Sequence, residues 1–157
     1  MRTNYLIPNK FKPVGWILFI AGIVSGLFLF GTDYETEILN VKVLAVYGGD
    51  SIFSNDQGFF KIIENSILDE LIALAIIFGG LVIGFSKEKV EDEFIYKLRK
   101  DSLVWALLFN YLVLSLAIIF IYDFTFFDVL VFNMFTPLIF FVIRFNFLKL
   151  KSQSNEE

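Results

Sequence analysis

A chain of 157 residues with thirteen basic and seventeen acidic side chains carries a formal net charge of -4, which is not the basic surface that nucleic acid requires, so no nucleic-acid partner is expected. Its 57% hydrophobic content and mean hydropathy of +0.70 exceed the apolar share of about 45–50% found in soluble chains, and its 21 Phe residues are of a type that enters hydrocarbon readily. With neither Cys nor His present, disulfides, thiolate nucleophiles, imidazole bases and the commonest zinc, copper and haem ligands are excluded, and no catalytic, metal or cofactor site is expected.

The first uncharged run extends from Val14 to Thr32. At about 1.5 Å per residue it is long enough for a hydrocarbon core of about 30 Å. It exceeds the apolar region of a secretory signal and ends without a small-residue cleavage site, so a retained span over residues 14–32 is predicted.

An outer loop, 33–65, follows. The stretch Ile38 to Tyr47 is rich in β-branched and aliphatic residues, so part of it reads as a strand. Gly48-Gly49-Asp50 and Asn55-Asp56-Gln57-Gly58 are turn signals, predicting a short hairpin or a cap. The acidic residues Asp33, Glu35, Glu37, Asp50 and Asp56 match no calcium-loop spacing, and solvation of an acidic loop accounts for them.

The second span is placed at 66–86, with Ser66 and Asp69 in a helix-start pattern and Asp69 and Glu70 at the positive end of the helix dipole. The segment 87–101 contains no Gly or Pro and places Val90, Phe94 and Leu98 four residues apart. It is predicted to be a helix that continues into the third span, its apolar stripe resting on headgroups or docking a partner. The third span, 102–122, has Trp105 and Tyr122 near its ends, where amphipathic rings prefer to sit.

After a short turn, the pattern Thr125 to Asp128 starts a fourth span over 126–144, antiparallel to the third. Pro137 removes a donor to the carbonyl of Asn133, and Thr136 is placed to satisfy it, so a static kink is expected at Asn133, Thr136 and Pro137. The polar tail, 145–157, is read as disordered from Lys149 onward.

Lys and Arg set the orientation. Three basic residues precede the first span, five lie between the second and third, and three follow the fourth, whereas the outer loop holds only Lys42 and Lys61. Both termini are therefore expected in the cytoplasm. The fold class is an all-α membrane protein: one four-helix transmembrane bundle with a partly ordered outer loop and a cytoplasmic extension of the third helix.

No ionisable residue occupies the centre of a span, which counts against coupled transporters and voltage sensors. Counting from the span ends places Asn110 and Asn133 at different depths. Small residues form two seams, Gly15, Gly22 and Gly26 on the first helix and Ala73, Gly80 and Gly84 on the second, where backbones can approach closely.

The run from Glu91 to Ala106, Glu91-Asp92-Glu93-Phe94-Ile95-Tyr96-Lys97-Leu98-Arg99-Lys100-Asp101-Ser102-Leu103-Val104-Trp105-Ala106, with Gly49-Asp50-Ser51-Ile52-Phe53, resembles a group of uncharacterised small multipass bacterial membrane proteins. The similarity covers Lys42 to Tyr111. It implies a bacterial inner membrane and no activity.

These features favour a non-enzymatic interaction or assembly module, in contact with membrane lipid and joined to itself as a homo-oligomer or to another membrane protein. The alternative is an oligomeric channel or passive facilitator lined by Tyr111, Ser115, Asn133 and Thr136. Catalysis by interfacial carboxylates is the weakest reading, because charged helix ends explain Asp69, Glu70, Glu91, Asp92 and Glu93 more simply.

Overall fold

The computed structural model describes residues 6–31, 39–48 and 58–154. Among them four helices are long and apolar enough to cross a membrane. A 3-10 turn at Asn9–Phe11 leads into α1, Lys12–Gly31; then come strands β1, Asn40–Gly48, and β2, Gly58–Ser66, and helices α2, Leu68–Phe85, α3, Glu93–Phe120, and α4, Phe124–Ser154. The residues form two compact units, Met1–Ile20 with Ile76–Glu157, and Ala21–Ala75.

In the first unit the inside is narrow and the apolar outside broad. Phe141, Val142 and Phe145 of α4 are almost fully buried, as are Ile83 of α2 and Ala106 of α3, whereas Leu107, Leu108, Phe120, Phe127 and Ile143 are exposed. A soluble domain would reverse this arrangement. The face of α3 turned inward carries Ile95, Arg99, Ser102, Ala106, Asn110 and Ala117, a repeat of four and three residues whose side chains after Ile95 are small or polar. The third and fourth helices pack through Phe109 stacked on Phe140 at 4.5 Å.

The α1–α2 crossing depends on glycine. A Cβ at Gly79 would stand 2.6 Å from the Phe19 amide nitrogen and 2.9 Å from the Gly15 carbonyl oxygen, and one at Gly15 would stand 2.8 Å from Val82. Only hydrogen at these positions lets the two backbones meet. Gly80 faces Leu138 and Gly84 faces the Phe141 ring, so α2 packs on α4 as well. Gly22 is buried, and Gly26 and Ala73 are half-buried. The position tightest against backbone atoms, Gly79, was not among the seam residues expected from sequence.

The second unit contains the hairpin predicted for the outer loop. Strands β1 and β2 pair antiparallel from Asn40 opposite Ser66 to Gly48 opposite Gly58, with Tyr47 against Phe59 at 5.0 Å and an exposed Lys42–Glu64 ion pair at 3.5 Å. Asn65 donates to the Glu70 carboxylate at 2.8 Å, joining the end of β2 to the first turn of α2. The acidic residues Asp33, Glu35, Glu37, Asp50 and Asp56, and the segment Gly49-Asp50-Ser51-Ile52-Phe53, lie outside the described residues.

Four expectations are corrected. Residues 87–92 are not helical: α3 starts only at Glu93, where the Asp92 side chain caps it by accepting from the Ile95 amide at 2.8 Å. Val90 thus precedes the helix at 73% exposure, Phe94 is exposed, Leu98 is half-buried, and the buried neighbour is Ile95. Rather than ending at Arg144, the fourth helix continues to Ser154, because Lys149 gains a carboxylate partner. The Thr136 hydroxyl donates to Phe132 O at 3.1 Å, not to Asn133, on a helix whose range includes Pro137. Finally, the amides of Asn110 and Asn133 pair, at 3.0 and 3.4 Å.

Candidate functional site

The N-terminal segment, the connection between α2 and α3, and the end of α4 converge in the first unit. Backbone pairing begins it: Ile7 donates to Phe85 O at 2.9 Å and Lys87 donates to Ile7 O at 2.8 Å, making a parallel bridge between Ile7 and Ser86. Asn9 donates to Lys87 O at 2.6 Å. This pairing takes the backbone groups that a helix over 87–92 would need, which is why the connection is extended and the helix restarts at the Asp92 cap.

Two charged clusters stand on that scaffold. In the first, Glu88 lies between two ammonium groups: Oε1 accepts from Lys12 of α1 and Oε2 accepts from Lys149 of α4 at 3.2 Å. The three side chains are only 11%, 10% and 17% exposed for Lys12, Glu88 and Lys149. In the second, Arg99 of α3 is buried and grips Glu91 with both guanidinium nitrogens at 2.6 and 3.2 Å, while also donating to Ser86 O at 3.1 Å. Its guanidinium lies 5.1 Å from the Phe145 ring, and Lys12 reaches the same ring at 6.0 Å.

Burial pushes the Glu91 carboxyl up, but hydrogen bonds from Arg99 and from the Glu88 amide, with the Arg99 charge, outweigh it and hold the group below the usual carboxylate range. Nearby, Arg144 donates to the buried Ser102 hydroxyl at 3.2 Å and lies over Trp105 at 5.6 Å. Charge thus sits at the end of the helices, while deeper in the unit the amides of Asn110 and Asn133 pair between α3 and α4.

Beside the Lys12–Glu88–Lys149 cluster is a cavity of about 630 Å³, lined by Asn9, Lys12, Glu88, Lys89, Val90, Asp92, Phe94, Ile95, Lys149 and Ser152. It joins buried charge to exposed apolar side chains. Two of the expected docking residues, Val90 and Phe94, are on its wall; Leu98 is not among them. Sequence reasoning missed Lys12, Glu88 and Lys149, since residues 76 and 61 positions apart leave no periodic signal. Arg99 did have one: it lies on the small and polar stripe of α3.

Of the other expected residues, Gly15, Gly80 and Gly84 meet neighbours within the chain, and the proposed pore-lining groups turn to their own surroundings: Ser115 donates to Tyr111 O at 2.7 Å and Asn133 is held by Asn110. Comparison of the chain with family models, with curated proteins and with solved structures finds no match.

Proposed function

We propose that the protein is a non-enzymatic interaction module of the bacterial inner membrane, with both termini cytoplasmic and its working surface at the cytoplasmic ends of its helices. The observation that carries this reading is the 630 Å³ cavity whose wall combines Lys12, Glu88 and Lys149 with Val90 and Phe94. Eleven of the thirteen basic residues belong to the segments that meet or flank this end, and only Lys42 and Lys61 lie in the hairpin, which supports a cytoplasmic placement. A cavity held open by three chain segments far apart in sequence is a binding surface that a simple membrane anchor has no need to build.

Assembly through glycine seams has less support, because Gly15, Gly79, Gly80 and Gly84 are already in contact with residues of their own chain. Oligomers, if formed, would use the exposed apolar faces of α3 and α4. The channel alternative is weakened by the hydroxyl and amide groups engaged within and between their own helices.

A photo-crosslinking residue in place of Phe94, activated in intact membranes, tests the module reading. An adduct at that position is expected. Absence of any adduct, with the same residue at Leu108 on the exposed face of α3 reacting with lipid as a control, would overturn it.

A further inference from the structure

Resting on that reading, we infer that the cavity binds the phosphate headgroup of an anionic phospholipid of the inner leaflet. The argument begins with charge. One carboxylate, Glu88, serves two ammonium groups, one on each oxygen. Its single negative charge cannot neutralise Lys12 and Lys149 together, so a net positive charge remains among side chains that are all less than one-fifth exposed. Burying charge without full compensation is costly. Each ammonium carries three N–H donors, and among the described residues Glu88 is the only hydrogen-bond acceptor for either.

An anion entering the cavity would supply both the missing charge and the missing acceptors. Lys89 adds a further positive charge to the wall, while the Asp92 carboxylate is committed to capping α3 through the Ile95 amide. That leaves the lining with three lysines against two carboxylates, one of which faces the positive end of a 28-residue helix.

The apolar part of the wall selects the source of the anion. Val90 and Phe94, 73% and 53% exposed, adjoin the lysines and suit a glycerol backbone and the first methylenes of acyl chains. A free phosphate has no use for them. Basic pockets beside transmembrane helices on the cytoplasmic side are the recognised setting for acidic headgroups, and the acyl chains would continue along helices whose large side chains point outward.

The test uses the full chain, purified from vesicles of phosphatidylglycerol and phosphatidylcholine in equal amounts, with co-purifying lipid counted by mass spectrometry. Wild type should retain phosphatidylglycerol in preference to phosphatidylcholine. Lys149→Gln should reduce that preference about fivefold, the effect of one basic residue at an acidic leaflet. Glu88→Gln should increase it, because both ammonium groups are released, even though the folded state loses two ion pairs. A purely structural cluster would lower thermal stability in both variants and leave lipid preference unchanged, which would overturn the inference. Lys89→Gln, exposed on the wall and safe for folding, should reduce the preference in its own right; if it and Glu88→Gln both match wild type, the inference fails.

Glycerol 1-phosphate in large excess separates the two sources of phosphate: displacement of the lipid by this soluble ligand alone, equally in a Val90→Ser/Phe94→Ser variant, would reassign the cavity to a free phosphate ester. The crosslinking residue at Phe94 separates this inference from the reading beneath it. A lipid adduct supports both, a protein adduct without lipid overturns the lipid assignment and keeps the module, and no adduct removes both.

Discussion

Replacing Gly79 by Ala adds a single methyl group at the point where α1 and α2 are closest. That carbon would lie 2.6 Å from Phe19 N and 2.9 Å from both Phe19 Cα and Gly15 O. All three neighbours are backbone atoms, so no side-chain rotation relieves the clash and the helices must separate by roughly 1 Å to restore ordinary contact distances of about 3.5–4.0 Å. Overpacking of this kind costs about 1–3 kcal/mol, against which Ala returns up to about 1 kcal/mol of helix preference over Gly. The net expectation is a loss of about 0–2 kcal/mol, centred on about 1, measured as unfolding in mild detergent with a denaturing detergent as titrant. Gly31→Ala is the reference, since nothing lies within 4 Å of its Cβ position, and it should be neutral or stabilising. Gly80→Ala should cost less than Gly79→Ala, because the atoms it meets belong to the Leu138 and Phe19 side chains and not to the backbone. If Gly79→Ala unfolds at or above the wild-type midpoint, the close backbone crossing is not what holds α1 to α2 and the packing argument is wrong.

Asn110→Leu or Asn133→Leu alone leaves the other amide unsatisfied among apolar neighbours, so each should destabilise more than half as much as the double replacement; a double-mutant cycle should return a coupling of about 0.6 kcal/mol, up to about 1.7, and zero coupling would mean the pair contributes nothing. Because the folded-state Glu91 carboxyl is depressed below its unfolded value of about 4.3, its contribution is fully present above that value and is lost as pH falls through the lower folded value. Unfolding measured down through that range should show an acid limb that Glu91→Gln removes, and an unchanged limb would refute the assignment. Glu91→Ala, which leaves Arg99 buried without its carboxylate, should cost toward the lower end of about 3–5 kcal/mol, since Glu91 is itself 23% exposed; recovery of most of that loss in Arg99→Met/Glu91→Ala is the expected companion result. Thr136→Val should change stability by less than about 1 kcal/mol, because the hydroxyl lies on a continuous helix and bonds only Phe132 O.

The four helices and one strand of the hairpin were legible because each depends on a local pattern. Uncharged runs of sufficient length can satisfy their backbone groups in lipid only as helices, and the aliphatic stretch Ile38 to Tyr47 before turn residues marks β1, whereas its partner β2, which takes in Ser66, was not read as a strand. Of the small-residue seams, Gly15, Gly80 and Gly84 meet neighbours within the chain. The stripe Val90, Phe94 and Leu98 was expected to face headgroups or a partner, and Val90 and Phe94 are exposed. The inward face of α3 was not read from the sequence, because in lipid the large apolar residues face outward and the packed face is the small and polar one that carries Arg99, Ser102, Ala106 and Asn110.

The Asn110–Asn133 pair escaped because depth was counted from each span's own ends. Measured from the turn between α3 and α4, Asn110 to Phe120 is the same distance as Phe124 to Asn133 to within one residue, and equal distances from a tight hairpin bring side chains together. That relation was present in the sequence and needed only the right origin. What the sequence by itself determined was therefore which segments become helices, that β1 is a strand and which side chains are small enough for contact. Only the tertiary structure decided that Ile7 pairs beside Ser86, that this pairing stops α3 from starting before Glu93, and that Lys12, Glu88 and Lys149 share one cluster. Those contacts join residues far apart along the chain, and no local preference encodes a meeting that exists only once the helices have packed.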